Sequence, residues 1–206
     1  MKFMHSTFLA LGDSYTIGEG VPGDGNWPSQ LVARLRTEGN DVDGPRILAT
    51  TGWTTDELAA AMDAAAFERP YALVSLSIGV NNQYRGRPLG EYRVQFHRLL
   101  RRAIALAGEE AARVMVVSIP DWGTTPFAAH EGRDAAAMAR AIDGFNAVAR
   151  GEVTRTGARW VDVTTISRRP DSRGELVDDG LHPSSAQYAR WVEAILPVAR
   201  AALRGG

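Results

Sequence analysis

The stretch YALVSLSIG, residues 71–79, decides the fold. An almost unbroken apolar run of this length, closed by glycine, predicts a strand covered on both faces. Downstream, Tyr92, Phe96, Leu99, Leu100, Ala103 and Leu106 recur at helical spacing, so a long helix follows it. The same strand-then-helix order repeats on either side. Upstream, residues 7–11 read as a first strand and 46–49 as a weaker one. Between them Pro28 opens a helix through Leu31, Val32 and Leu35 that stops at Gly39. Thr55 is the expected N-cap of a helix through Leu58, Ala59 and Met62, with Asp56 and Glu57 in its first turn. Downstream, residues 114–119 form a strand closed by Pro120, an alanine-rich helix covers 134–153, and 160–163 form the last strand. The final helix starts near Ser184, with Tyr188, Val192, Ile195, Ala199 and Leu203 on one stripe and a late kink at Pro197.

This alternation, without repeats or linkers, predicts one α/β domain over residues 1–206. Its expected form is a three-layer α/β/α sandwich around a mostly parallel five-stranded sheet. A chain of 206 residues buries enough surface to need no disulfide or metal staple. It has no cysteine, which excludes a thiol nucleophile and a zinc–thiolate site. A formal net charge of −1, with arginines scattered along helices, argues against a nucleic-acid partner. No apolar run reaches the length of a membrane span. The N-terminal stretch runs directly into a Gly-Asp-Ser turn with no cleavage site of the secretory kind, so the expected location is the cytoplasm.

In a parallel sheet, ligands bind beyond the carboxyl ends of the strands. Four loops there carry polar chemistry. Gly12-Asp13-Ser14 follows the first strand and projects a hydroxyl above the sheet, or is simply a turn. Gly52, in Thr51-Gly52-Trp53-Thr54, either brings a backbone N–H to a ligand or makes the turn before the next helix. Asn81, in Gly79-Val80-Asn81-Asn82, can donate a side-chain amide to developing negative charge, and tandem asparagines also suit an ordinary loop. Asp179-Gly180-Leu181-His182-Pro183 precedes the last helix. There Asp179 can orient His182 as a base, or the segment is an acidic turn before a cap at Ser184. Each loop is ambiguous by itself, but one sheet brings all four together with a nucleophile, a base, an orienting acid and oxyanion donors.

These four blocks, in this order, resemble those of the SGNH hydrolases, the GDSL-type lipase and esterase superfamily, over nearly the whole chain. The resemblance implies the flavodoxin-like form of the sandwich. It implies Ser14 as nucleophile, His182 as base and Asp179 as its partner. The oxyanion hole would be made by the backbone N–H groups of Ser14 and Gly52 and the amide of Asn81. The implied partner is a small-molecule ester with a short acyl group, acetyl included, and no metal or organic cofactor is required. A carbohydrate acetylesterase, an acyltransferase and a silent binding module are the alternatives on the same fold. Two positions depart from the family pattern. Tyr15 stands where the family's name has leucine, and Asn82 stands in place of an aspartate that braces the neighbouring loop.

Trp53, Tyr84, Arg85, Trp122 and Phe127 all follow predicted strands. They are candidates to line the substrate pocket, or else they cover the sheet edge and helix ends. Gly18-Glu19-Gly20-Val21-Pro22-Gly23 fits a dinucleotide-binding pattern, but it begins well past the strand and ends before the helix. Its acidic neighbours would also repel a pyrophosphate, so it reads as a loop beside the site. His130-Glu131 has no ligand spacing with His5 or His97, so no metal is expected.

Overall fold

Every position of the two central strands is apolar or small because both of their faces are covered. The computed structural model describes residues 6–68 and 70–204, and the reading of residues 1–5, His5 included, lies outside them. β1 (Phe8–Gly12) and β3 (Leu73–Ser77) are buried along their whole length. β2 (Arg46–Ala49) and β5 (Arg159–Val161) are half-exposed edges, and β4 (Val114–Val117) is buried between β3 and β5. The order is β2-β1-β3-β4-β5 and every pairing is parallel. That is the flavodoxin-like doubly wound order, whose direction reverses beside β1.

Right-handed crossovers then dictate the layers. The chain steps one way from β1 to β2 through α2 (Trp27–Thr37). It steps the other way from β2 onward through α3 (Thr55–Ala64), α5 (Leu89–Leu106) and α7 (Ala135–Thr156). α5 packs between α3 and α7 on one face. The last helix, α9 (Ser185–Leu203), returns beside α2 on the other face and continues through Pro197. The apolar stripes expected on α5 and α9 are the buried ones, apart from Leu203, which is half-buried.

The post-strand segments are more structured than plain loops. α1 (Ser14–Ile17), α4 (Val80–Tyr84), α6 (Pro126–His130) and α8 (Thr164–Ser167) are single turns of helix. Four or five residues hold no full hydrophobic period, so periodicity does not reveal them. The cap of α3 also differs from expectation. Thr54, not Thr55, is the N-cap, and its N–H donates to Glu57 Oε2 at 2.8 Å. Thr55 is drawn into the helix because its N–H and hydroxyl are both bonded to Asn82, at 3.1 and 2.7 Å. Among the described residues, no helix is long and apolar enough to cross a membrane.

Candidate active site

The switch beside β1 puts four loops around one cavity of about 200 Å³. Its walls include Ser14, Gly52, Asn81 and His182. The Ser14 loop owes its shape to a glycine and a carboxylate. A Cβ on Gly12 would meet Thr16 Oγ1 at 2.1 Å and the Ser77 carbonyl at 2.6 Å, so only glycine lets α1 start immediately after β1. Asp13 then caps α1 by accepting from the Tyr15 N–H at 3.1 Å. Ser14 follows as the first helical residue, buried, with its backbone N–H one of the donors a helix start leaves free.

The last loop is tied as firmly. Val177 N–H donates to the His182 carbonyl, Ser184 N–H to the Glu175 carbonyl, and Phe127 N–H to the Gly180 carbonyl. Within that frame Asp179 Oδ1 accepts from the N–H groups of Leu181 and His182, at 2.8 and 2.9 Å. Asp179 Oδ2 lies 2.6 Å from His182 Nδ1, and His182 Nε2 lies 2.9 Å from Ser14 Oγ. Partial burial pushes the Asp179 carboxyl up. The His182 ring and the two backbone N–H groups outweigh it, so the pKa sits below the ordinary value. An ionised carboxylate can only accept, so Nδ1 carries the ring proton and Nε2 is left to accept from the Ser14 hydroxyl. A serine hydroxyl hydrogen-bonded to a basic nitrogen is a poised nucleophile.

Opposite them, Gly52 has φ +85° and its N–H donates to no group among the described residues. Its carbonyl is held by Arg85 Nη2 at 2.7 Å, and Arg85 also reaches Glu57. Asn81 donates one amide hydrogen to the Trp53 carbonyl at 2.9 Å, which fixes the amide plane, and among the described residues the second hydrogen has no partner. These donors and the Ser14 N–H edge the same cavity, an arrangement suited to an oxyanion.

The aromatic candidates separate into two groups. Tyr84, Trp122 and Phe127 line the cavity, together with Val80 and Leu181. Trp53 and Arg85 do not line it. Trp53 packs against the core and offers only its carbonyl, and the Arg85 guanidinium braces the Gly52 loop. Asn82 also corrects an expectation. No brace is missing where the aspartate is replaced, because the amide both accepts from and donates to Thr55. Gln83 was not legible as a site residue, yet its Oε1 accepts from Trp122 Nε1 at 2.8 Å and sets the indole in the wall. The glycine-rich segment after α1 lies alongside the site, with Glu19 accepting from the hydroxyl of the cavity residue Thr51. Helix α2 starts only at Trp27, too late for a phosphate cradle at those glycines.

A family model described as the GDSL-like Lipase/Acylhydrolase family matches residues 10–190. The chain belongs to that family. As a GDSL-family member it is an ester hydrolase by class. Its fold recurs in solved structures of low sequence identity. A structure named TesA is 22% identical, covers 96% of this chain and 100% of its own, and superposes with a TM-score of 0.75. Axe2-W215I, an acetyl xylan esterase from Geobacillus stearothermophilus, is 20% identical over 95% of this chain and 96% of its own, with a TM-score of 0.71. The psychrotrophic esterase EstA from Pseudoalteromonas sp. is 18% identical over 95% and 97%, with a TM-score of 0.71. No curated protein sequence matches the chain.

The buried Asp13 carboxyl beside Ser14 has a consequence for stability. Burial pushes Asp13 up from 3.8 to about 7, against the backbone N–H bonds from Tyr15 and from its own residue. Between those values the unfolded chain has released this proton and the folded chain has kept it. Stability from this group therefore falls as pH rises through that window and levels off above it, by about 4 kcal/mol in all. Asp13→Asn keeps the carbonyl that caps α1 and removes the buried charge. Urea unfolding between pH 4.5 and 8 should show the decline in the parent and lose most of it in the variant. Equal slopes would rule the account out.

Proposed function

We propose that this GDSL-family chain hydrolyses esters of short acyl groups through a covalent intermediate on Ser14. The observation that carries the reading is the unbroken run of contacts from Asp179 through His182 to Ser14 at the edge of a mainly apolar cavity. Ser14 Oγ attacks the ester carbonyl as His182 Nε2 takes its proton. The carbonyl oxygen becomes an oxyanion held by the N–H groups of Ser14 and Gly52 and by the free amide hydrogen of Asn81. The tetrahedral intermediate collapses, the C–O bond to the alcohol breaks, and His182 returns the proton to the leaving oxygen. Water then attacks the acyl-serine by the same route and releases the acid.

Two features favour a short acyl group. The cavity is small, and one relative of the same fold carries the name of an acetyl esterase. The test is labelling by a fluorophosphonate together with a p-nitrophenyl ester panel. The parent is expected to be labelled once and to cleave acetate and butyrate esters. An unlabelled, inactive parent would refute the proposal.

Asn81→Ala removes a donor whose second hydrogen meets negative charge only as the reaction proceeds. It should lower kcat by about 10²- to 10³-fold, with a much smaller change in KM. A loss carried mainly by KM would show that Asn81 binds the ground state instead.

A further inference from the structure

We propose that Tyr15 closes the inner end of the catalytic cavity and so sets the upper length of the acyl chain. The proposal rests on the assignment of Ser14 as nucleophile. Beside the catalytic cavity lies a second, much narrower crevice with about 10 Å³ of water-sized space, room for a single water at most. Tyr15, Trp122 and Leu181 line both spaces, so these three side chains form the partition between them.

The partition is held in place. Tyr15 is buried, with its ring 5.1 Å from the His182 ring and stacked on Trp191 of α9 at 6.2 Å. Trp122 is fixed by Gln83, and Leu181 by its N–H bond to Asp179. Among the described residues the Tyr15 hydroxyl has no hydrogen-bond partner, and the ring that carries it supplies the volume of the wall. Which half of the ester meets this wall follows from the order of events. The alcohol must leave to solvent while the acyl group is still bonded to Ser14, so the alcohol takes the open side and the acyl chain points inward. The other walls of the crevice include Thr125, Ser167 and Gln187, and removing the ring would join that space to the catalytic cavity.

The test compares kcat/KM for p-nitrophenyl acetate, butyrate and octanoate in the parent and in Tyr15→Leu, Tyr15→Ala and Tyr15→Phe, each checked for folding by thermal melting. The parent is expected to favour acetate over octanoate by about tenfold or more. Leucine and alanine should raise the octanoate-to-acetate ratio by about tenfold or more, and phenylalanine, which keeps the ring, should preserve it. A parent that accepts octanoate as readily as acetate would overturn the proposal. So would folded leucine and alanine variants that keep the parent ratio. Calorimetry with propanamide and hexanamide on Ser14→Ala and on Ser14→Ala/Tyr15→Leu reads the same wall without turnover. Tighter hexanamide binding in the double variant supports the partition even if no form cleaves esters, in which case only the nucleophile assignment fails. Unchanged binding counts against it.

Discussion

Ser14→Ala is expected to reduce kcat for p-nitrophenyl acetate by about 10⁶-fold and to abolish fluorophosphonate labelling. The substitution removes one oxygen from a buried but cavity-facing position, and the backbone bonds of α1 do not involve it. The Ser14 carbonyl still accepts from the N–H groups of Gly18 and Glu19, and Asp13 still caps the turn. Thermal melting should therefore move little. The alanine variant also keeps its backbone N–H, so oxyanion stabilisation survives, and water attack in the cavity sets a residual rate of about 10³- to 10⁴-fold over solution. A variant retaining even a few per cent of parental turnover would place the nucleophile elsewhere. A variant that loses activity together with its cooperative melt would leave the result to be decided by Ser14→Cys, which keeps a nucleophilic atom at the same place.

The fold was readable because the central strands had to be apolar. β1 and β3 lie between two helix layers, and burial on both faces demands a short, nearly continuous run of apolar or small residues closed by a turn residue. β2 and β5, at the edges, are partly exposed; β2 reads as the weaker strand, and β5 begins and ends earlier than its apolar residues suggest. The candidate site was legible only jointly: Ser14, Asp179 and His182 each suit an ordinary turn, and they form a set because the sheet order brings the first and last loops together. The supporting residues were harder to read, and the reason is physical. Arg85 and Asn82 act by holding backbone: Arg85 on the Gly52 carbonyl, Asn82 on the Thr55 N–H. Any long polar side chain of suitable reach can take such a role, so residue type and spacing do not announce it. Gln83 is a similar case, since a buried glutamine gains its meaning only from the indole N–H it meets.

That support explains why a loop-built site can be exact. Glu57 joins the loops that carry Gly52 and Asn81. It accepts from the Thr54 N–H, which sets the start of α3, and it pairs with Arg85, which holds Gly52. The Arg85–Glu57 pair is exposed and worth little to global stability. Its contribution is positional: it orients the guanidinium that holds the Gly52 carbonyl in a turn where Gly52 has φ +85°.

The second large effect is expected at Asp179, and its size depends on the replacement. Asp179→Asn can keep its carbonyl oxygen where Oδ1 now accepts from Leu181 and His182, which turns the amide nitrogen toward His182 Nδ1. An amide N–H there demands an acceptor, so the imidazole takes the tautomer with its proton on Nε2. That proton faces Ser14 Oγ, 2.9 Å away, and the ring can no longer receive the serine proton. The expected loss in kcat is about 10⁴-fold. Asp179→Ala removes both oxygens but presents no competing donor. The aspartate side chain is 40% exposed, so water can enter and accept from Nδ1–H in its place. Asp179→Ala should therefore be the more active of the two, even though it is the larger deletion. Measuring kcat for both variants with one acetate ester decides the matter. An asparagine variant as active as, or more active than, the alanine variant would mean that the carboxylate acts through its charge and not through the tautomer it selects.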